Sequence, residues 1–515
     1  MIFPRTENKG GEMQRSKKTL INTLSSLALQ IVTAIYGLIL PRLILSYFGS
    51  EINGTISSIT QFLSYIVLLE AGVGGVVKAA LYKPLAEKDE QKLGGILNAT
   101  ENFFKKIGIT FILYLAVIAV VFPYITHTDY DFWYTASLVV IIGVSTVVQY
   151  FFGITYQMLL NADQKVYVDN YLQIATLILN AGLSTALLAL GCGVHVVKLA
   201  STAVFVLRPL LTFLYVKKKY HIDRKIPPDN AAIKQRWDGL GQHIAFIVYS
   251  NTDVAILSVF TNMLLVSVYT VHMTVITGIK NLVNSLSGGF APAIGDMIAR
   301  GKKETLNSTI NLYEFIAFFF ASVLFTITAV MIEPFVALYT SVAPDPAYYQ
   351  PLFAVLMCVA EGTYVIRCVY SSVVLGAGHF RQTNVGAYIE AGLNIAVSAV
   401  LVNFFGLVGV AIGTCVAMIF RTVDYVFYLS KHIAERSPLL FFRRVLVSGV
   451  AIALGTVLSK LAMRGNVDSW SMWILYAVLT SVIVTVSVSV VNFLFYRKEF
   501  SAFLHRIRNR KKANG

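Results

Sequence analysis

The chain has 515 residues, of which 56% are hydrophobic and 13% charged, and its mean hydropathy is +0.67. A soluble domain carries roughly 25% charged residues, so this composition excludes an ordinary soluble protein and predicts an all-α integral membrane protein. The net charge of +15 would suggest nucleic-acid binding in a soluble chain. Here the basic residues lie mostly between apolar runs, and we therefore predict no nucleic-acid partner.

Apolar runs long enough to cross a bilayer occur along the whole chain. A transmembrane helix needs about 20 apolar residues, and this rule predicts about 14 spans. The predicted spans are 19–41, 55–81, 107–126, 133–158, 167–190, 193–217, 240–260, 264–286, 308–337, 351–377, 383–404, 407–430, 443–463 and 470–496. A glycine-rich break at 71–75 is suited either to close helix packing or to a bend in the second span.

Lysine and arginine cluster in every second connection between these spans. They follow the second, sixth, eighth and twelfth spans and fill the C-terminal tail, whereas the connections 49–54, 127–131 and 341–350 nearly lack them. Arg464 is the main exception. Because cytoplasmic loops collect basic residues, the alternation predicts a multi-pass protein with both termini in the cytoplasm.

The sequence repeats itself after about 213 positions. Matched positions carry the same or similar residues: Gly74-Gly75 and Gly288-Gly289, Leu97-Asn98 and Ile310-Asn311, Arg208 and Arg421. Six spans in each copy predict two parallel repeats related by an axis along the membrane normal, with a binding site between them. The predicted units are a leader (1–18), an N-terminal lobe (19–231), a C-terminal lobe (232–444), two additional helices (445–496) and a basic tail (497–515).

Ionisable side chains inside the spans are the candidate functional residues. Each costs on the order of 2.5–3.5 kcal/mol on insertion scales, so each should face a cavity or a partner. The spacing of Arg421 and Asp424 predicts a pair on one helical face, whereas Glu361 and Arg367 each need another partner. The whole set comprises the cations Lys78, Lys198, Arg208, Lys280, Arg367 and Arg421, with Arg42 nearer the outer end, and the acids Glu70, Asp253, Glu314, Glu361, Glu390 and Asp424.

The excess of cations suits an anionic ligand, because arginine offers a planar fork for phosphate oxygens and lysine a point charge. The predicted substrate-binding residues are Lys280, Arg208, Arg421, Arg367, Lys198 and Arg42. The deep acids either carry a coupling ion or proton or only neutralise the arginines; the ion-coupling candidates are Asp253, Glu361 and Glu390.

The sequence contains no constellation that indicates catalysis. It has no Walker loop, so ATP is not expected to be the direct energy source. His243 and His272 lie in spans without a second ligand at metal spacing. We therefore predict no enzyme activity, no cofactor and no metal site.

The first two spans carry a family resemblance. The basic start at 15–18 (RSKK) and the segments 40–49 (LPRLILSYFG) and 69–74 (LEAGVG), together with the topology, resemble Wzx-type polysaccharide flippases. These belong to the multidrug/oligosaccharidyl-lipid/polysaccharide exporter superfamily. The resemblance implies a V-shaped transporter of two six-helix bundles that works by alternating access.

The function implied by this resemblance is translocation of undecaprenyl-diphosphate-linked oligosaccharides across the bacterial cytoplasmic membrane, for capsule, O-antigen or exopolysaccharide assembly. The implied partners are the lipid-linked glycan, membrane lipid, and the polymerase and glycosyltransferases of the same pathway. A monomer is expected.

Other functions stay open at this point. The two additional helices resemble those of 14-span lipid II flippases, in which the added pair forms a lipid groove. Multidrug exporters of the same superfamily bind organic cations and would favour acidic and aromatic cavities. The basic residues inside the spans of this chain argue against that function. A polysaccharide polymerase or an acyltransferase is a different class, and a polymerase would need a larger external loop than the one near 341–351.

Overall fold

The computed structural model describes residues 9–70, 72–220, 222–232, 240–287, 294, 297–298, 303–343, 348–463 and 465–501. Gly288-Gly289, Arg464, residues 1–8 of the predicted leader and the tail beyond 501 lie outside these residues. Every regular element within the described ranges is a helix, which confirms the all-α prediction.

The described helices follow the predicted spans in chain order. They are α1 (Lys9–Ser64), α2 (Val73–Glu87), α3 (Glu90–Ile125), α4 (Phe132–Phe152), α5 (Ile154–Ala162), α6 (Val166–Ala189), α7 (Val194–Lys219), α8 (Leu240–Phe260), α9 (Met263–Ser287), α10 (Lys303–Thr340), α11 (Pro351–Gly376), α12 (Asn384–Phe405), α13 (Leu407–His432), α14 (Leu439–Ala462) and α15 (Trp470–Phe495). Among the described residues, 13 helical stretches are long and apolar enough to cross a membrane. The protein is therefore a multi-pass membrane protein.

Helix α1 explains why 13 stretches accommodate about 14 predicted spans. Its apolar stretch, Lys18–Glu70, has 53 residues. At about 1.5 Å per residue it would measure roughly 80 Å, more than twice the thickness of the hydrocarbon core. Gly49 interrupts the helical geometry with φ 81° and ψ 178°, a conformation that glycine adopts readily. The stretch therefore holds the first span and the beginning of the second.

The second predicted span, 55–81, is wrong as a single helix. Helix α1 ends at Ser64, a 3₁₀ helix covers Tyr65–Glu70, and α2 begins after Gly72, whose φ of 74° lies in the left-handed region. A right-handed helix cannot continue through that conformation. A Cβ added at Gly75 would meet nothing within 4 Å, but one added at Gly74 would lie 3.3 Å from the methyl group of Met158 on α5. The break therefore bends the chain, and Gly74 also brings α2 close to α5.

Helix ends also differ from the predicted spans. The fourth span, 133–158, is divided into α4 and α5 at Gly153. Helix α3 starts at Glu90, well before the predicted span, because the Asp89 carboxylate caps it by accepting a hydrogen bond from the Lys92 N–H at 2.9 Å. The same bond lowers the pKa of Asp89. Apolar content predicts where a helix crosses the bilayer but not where it ends outside.

The chain divides into two compact units. Unit 1 consists of Met1–Phe48 and Thr55–Ile244, and unit 2 consists of Gly49–Gly54 and Ala245–Gly515. The lobe boundaries predicted from the repeat, 231/232 and 444/445, stay predictions.

Unit 1 combines an apolar exterior with polar contacts between helices. The exposed residues Leu20, Leu24, Ile31 and Ile35 lie along α1, as expected for a surface that faces lipid. Asn170 on α6 donates a hydrogen bond of 3.0 Å to Ser25 on α1. Such bonds contribute about 0.6 kcal/mol each inside a membrane, so they mainly fix which helix faces which.

Two of the apolar cores in the described part of unit 2 share helix α10. One core joins α10 to α11 and α13, with Tyr370 and Val426 among its buried residues. The other joins α10 to α14 and α15 through Phe315, Val447 and Val484. The two additional C-terminal helices therefore attach to the unit through α10.

Candidate functional site

Unit 2 contains six of the nine predicted site residues. They come from five helices: Asp253 from α8, Lys280 from α9, Glu361 and Arg367 from α11, Glu390 from α12 and Arg421 from α13. The structure brings five of them into direct ion pairs, and we call Lys280, Glu361, Arg367, Glu390 and Arg421 the charge cluster.

Lys280 and Glu361 form one end of the charge cluster. The Lys280 Nζ atom lies 3.1 Å from Oε2 of Glu361, and the two side chains are 16% and 3% exposed. The rings of Tyr249 and Tyr364 are stacked with centroids 5.4 Å apart. The ammonium lies 5.6 and 5.1 Å from these centroids. The carboxylate and the two π-faces together compensate the lysine for lost hydration.

Glu390 connects two arginines at the other end of the cluster. It pairs with Arg367 through one oxygen, and the second oxygen lies 3.4 Å from Nε of Arg421. The guanidinium of Arg367 also lies 4.7 Å from the centroid of Tyr364. These contacts give Arg367 the partner on another helix that its spacing from Glu361 required.

Arg421 is completely buried. Its guanidinium donates hydrogen bonds to the Asp424 carboxylate at 2.5 Å, to the Thr383 carbonyl at 2.9 Å and to the Tyr425 hydroxyl at 2.9 Å. The contact with Asp424 confirms the pairing predicted from their spacing. A buried guanidinium with this many fixed partners is a structural anchor of α13 as well as a charge.

Every cation of the charge cluster has a carboxylate partner, so an anionic ligand has to compete with carboxylates for it. The cation of the cluster held by the fewest hydrogen bonds is Lys280, which pairs with Glu361. The Oε2 atom of Glu361 is buried and accepts no hydrogen bond from the described residues, because the nearby ammonium lies outside hydrogen-bond geometry. The hydroxyl of Tyr249 is buried without a hydrogen-bond partner in the same ranges. The Lys280 end is therefore where a ligand can exchange most easily with protein groups.

Asp253 lies in a separate, oxygen-rich environment and is 4% exposed. Its carboxylate accepts hydrogen bonds from the Thr414 hydroxyl at 2.9 Å and from the Tyr269 hydroxyl at 3.0 Å. Asn394 donates to Thr414 at 3.1 Å, while its buried Oδ1 accepts no hydrogen bond from the described residues. Carboxylate, amide and hydroxyl oxygens are ligands that hard cations prefer. The described ranges contain no cluster of three His, Cys, Asp or Glu suited to a metal ion.

The other three predicted residues lie in unit 1. Arg208 on α7 forms a forked pair with Asp169 on α6, with N–O distances of 3.1 and 2.6 Å. Lys198, ten positions earlier on α7, is half-buried and has no ion pair or hydrogen bond within the described ranges. Arg42 is half-buried on α1. Because Arg208 and Lys198 are about 15 Å apart along α7, these residues do not form one cluster.

Sequence reasoning missed the uncharged members of these sites. Our selection took residues that are costly to insert into a membrane. It found the charged side chains and missed the uncharged polar ones, because these cost less to insert. One signal was available on α11, where Glu361, Tyr364 and Arg367 recur every three residues and so share a helical face. The residues missed are Tyr249, Tyr269, Tyr364, Asn394 and Thr414.

No protein-family model and no curated protein matches this sequence. Among solved structures, the chain is similar to the lipid II flippase MurJ in an inward closed conformation, with a TM-score of 0.69, 14% identity, and coverage of 93% of this chain and 99% of that one. The eukaryotic MATE transporter AtDTX14 gives a TM-score of 0.57, 14% identity and coverage of 82% and 97%. The MATE multidrug transporter DinF-BH gives a TM-score of 0.56, 17% identity and coverage of 80% and 95%. The fold is therefore that of MurJ and the MATE transporters, which confirms the predicted transporter architecture.

Proposed function

We propose that the protein is a flippase of the bacterial cytoplasmic membrane that translocates undecaprenyl-diphosphate-linked oligosaccharides for polysaccharide assembly. The observation that carries the proposal is the charge cluster, in which Lys280 and Arg367 lie beside two stacked tyrosines. A diphosphate offers oxygens for both the ammonium and the guanidinium, and a transporter fold surrounds them. The proposal includes both termini in the cytoplasm, a monomer, no enzymatic activity, and work alongside the polymerase and glycosyltransferases of the pathway.

Binding exchanges one anion for another. A diphosphate oxygen replaces Glu361 at Lys280, whose contact with this carboxylate is not a hydrogen bond. The displaced Glu361 carboxylate is then an uncompensated charge in a medium of low dielectric constant, which costs several kcal/mol unless a proton or a cation neutralises it. Substrate binding and ion binding are linked by this exchange.

Asp253, Glu361 and Glu390 are the proposed ion-coupling carboxylates. Asp253 has the surroundings best suited to a small cation, because the Thr414 hydroxyl and the free Oδ1 of Asn394 belong to the same hydrogen-bonded group. A bound cation would take the place of the hydroxyl hydrogens that now contact the Asp253 carboxylate. In this proposal, the conformation of the transporter depends on whether a cation is bound at Asp253 and whether substrate is bound at the charge cluster.

Lipid II is the second candidate substrate. The similarity to MurJ over 93% of this chain favours it. The charge cluster suits any lipid-linked substrate with an anionic headgroup, so it does not separate the two candidates. Multidrug export is less favoured, because an organic cation would meet Lys280 and Arg367 instead of free carboxylates.

The experiment is a translocation assay with the purified full-length protein in liposomes that contain an undecaprenyl-diphosphate-linked oligosaccharide. A glycan-cleaving enzyme added outside reports how much substrate has reached the outer leaflet. We expect Lys280→Gln to lower the initial rate by about ten- to a hundredfold, the value of one charge-assisted hydrogen bond. Lys460→Gln, on the exposed surface of α14, is the matched control and should leave the rate unchanged.

A second variant separates binding from folding. Lys280→Gln with Glu361→Gln leaves no unpaired charge and should fold like the wild type, yet remain slow. Wild-type rates in both variants would refute the role of the charge cluster. Faster transport of lipid II than of the oligosaccharide would support the alternative substrate, and Asp253→Asn should abolish the dependence of the rate on an ion gradient.

A further inference from the structure

A second buried pair in unit 2 is not used by the proposed function. His272 on α9 is fully buried, and its Nε2 atom lies 3.2 Å from Oε1 of Glu333 on α10. Its Nδ1 atom lies 2.8 Å from the carbonyl oxygen of Val268, one turn earlier. The ring of Phe353 on α11 packs edge-on against the imidazole at 5.5 Å. Both ring nitrogens therefore face oxygen atoms.

The number of protons follows from this geometry. A neutral imidazole has one N–H group and one lone pair, and a backbone carbonyl can only accept. A hydrogen bond to Val268 therefore requires the hydrogen on Nδ1. The Nε2 atom then either carries a second proton, which it donates to Glu333, or accepts one from a protonated Glu333. In both arrangements the pair holds one proton more than a neutral imidazole beside a carboxylate.

The same carboxylate holds a third helix. Its Oε2 atom accepts a hydrogen bond of 3.1 Å from the N–H of Gln350, the residue that precedes α11. The Glu333 side chain is 12% exposed, which gives water a route for proton exchange. Pro334 follows directly within α10, and a proline removes one hydrogen bond of its helix. Helix α10 is therefore weakened at the residue that holds the proton.

We propose that His272 and Glu333 form a proton-binding site that ties α9, α10 and the start of α11 together, and that loss of the proton releases them. Without it, the single N–H of the imidazole can serve only one of its two oxygen partners, so the contact with either Val268 or Glu333 is lost. The end of α10 is then free to pivot at Pro334. The predicted topology places this end of unit 2 outside the cytoplasm, where it would respond to external pH. The proposal goes beyond the proposed function, because it requires no substrate.

The other charged side chains on the described helices around α9 have partners of their own. Lys280 pairs with Glu361, and Asp253 accepts a hydrogen bond from Thr414. Tyr269, one turn before His272, donates its hydroxyl hydrogen to Asp253. Further titratable side chains on these segments include Tyr313, Glu314 and Tyr339 of α10, Tyr348, and Cys358, Tyr364, Arg367, Cys368 and Tyr370 of α11. Glu333 is the carboxylate that contacts the imidazole, so it should control the proton.

The test measures the proton directly. Full-length protein labelled with ¹⁵N-histidine, in nanodiscs at pH 7, reports the protonation of both nitrogens of its eight histidines. The signal that disappears in His272→Gln belongs to His272. We expect either an imidazolium at His272 or a carboxylic-acid infrared band that Glu333→Gln removes. In Glu333→Gln, His272 should carry a hydrogen on only one ring nitrogen at pH 7, because the amide can supply the hydrogen that the imidazolium or the carboxylic acid supplies in the wild type.

Control variants distinguish loss of the proton from a general change in the protein. Glu333→Gln preserves the shape of the side chain and an acceptor for Gln350, and His195→Gln in unit 1 should leave the His272 signal unchanged. If wild-type His272 is neutral at pH 7 and no carboxylic-acid band depends on Glu333, the proposal is wrong, whether or not a variant folds. Transport that fails while this proton is present would count against the flippase function alone.

Discussion

Glu101 and Glu314 occupy matched positions in the two copies of the repeat, and burial gives the same side chain different roles. Glu101, in unit 1, pairs with Lys105 at 2.7 Å, and the lysine is 43% exposed. Glu314, in unit 2, is fully buried and contacts both Arg436 and Arg444. Removing Glu314 leaves two buried guanidinium groups without compensation, whereas removing Glu101 leaves Lys105 and Arg224, whose side chains are exposed enough for water to solvate.

This contrast predicts a large difference in stability. Glu314→Gln should lower the free energy of unfolding by about 3–5 kcal/mol, and Glu101→Gln by about 0–1 kcal/mol. Thermal unfolding of the two variants in the same detergent measures the difference. Equal melting temperatures would show that the Glu314 carboxylate is not paired as the structure has it.

Pairs within one helix could be predicted from the sequence, and pairs between helices could not. Arg421 and Asp424 are three residues apart, so one helical face determines their contact. The pairing of Lys280 with Glu361 depends on how α9 and α11 are rotated towards each other, which hydropathy does not specify. The sequence therefore indicated which residues are costly to bury but left open which carboxylate compensates each cation.

Helices α12 and α13 approach each other as closely as glycine permits. A Cβ added at Gly413 would lie 2.1 Å from Oγ and 2.7 Å from the backbone N of Ser398. The two helices are joined at Gly406, which has a φ of 53°. They carry Glu390 and Arg421, so their spacing also sets the geometry of the charge cluster.

One methyl group should therefore separate these helices. Gly413→Ala is expected to cost about 1–3 kcal/mol in unfolding free energy, the usual price of overpacking, and to slow translocation by displacing Arg421 from Glu390. Gly392→Ala on α12 is the matched control, because its added Cβ meets nothing within 4 Å. It should be neutral or stabilise the protein by about 0.5–1 kcal/mol through helix propensity. A Gly413→Ala protein as stable as the control would contradict the close approach.

Hydropathy predicted where most helices lie but not where they break. The segments 167–190 and 193–217 are separate helices as predicted, because a short glycine-containing connection at 191–193 marks the gap. The second span failed at Gly72, where a left-handed residue interrupts a run that stays apolar on both sides. Gly74 and Gly75 lie in the same apolar run as Gly72, but α2 continues through both of them. Only the surrounding structure therefore determines which glycine breaks the helix.

At the scale of the whole chain, the segment that follows α7 within unit 1 is bonded to the start of α3. Asn98 donates hydrogen bonds to the carbonyl oxygens of Asp223 at 3.1 Å and Ile226 at 2.9 Å. The N–H of Asp229 donates to the Gly95 carbonyl at 3.0 Å. Gly94 leaves the space that Ile226 fills, since an added Cβ would lie 2.7 Å from its methyl group.

Unit 2 uses the matched residues for the same purpose. Asn311 corresponds to Asn98, and its Oδ1 accepts a hydrogen bond of 3.0 Å from Arg436. Arg436 follows α13 at the position that Asp223 holds after α7. The bonding atoms differ, but in each unit an asparagine near the start of the third helix of the repeat holds the segment after the sixth. This agreement supports the duplication proposed from the sequence.

The fastening in unit 1 predicts how the connecting segment responds to a protease. Asn98→Ala removes two hydrogen bonds, together about 1–3 kcal/mol, and should raise the rate of trypsin cleavage after Arg224 or Lys225 by about five- to a hundredfold. Asn403→Ala, an exposed residue that bonds only within α12, should leave the rate unchanged. Cleavage at the wild-type rate in Asn98→Ala would show that the segment is held by the residues around Gly95 instead. A faster rate would show that α3 holds the segment after α7 in place as far as Asp229.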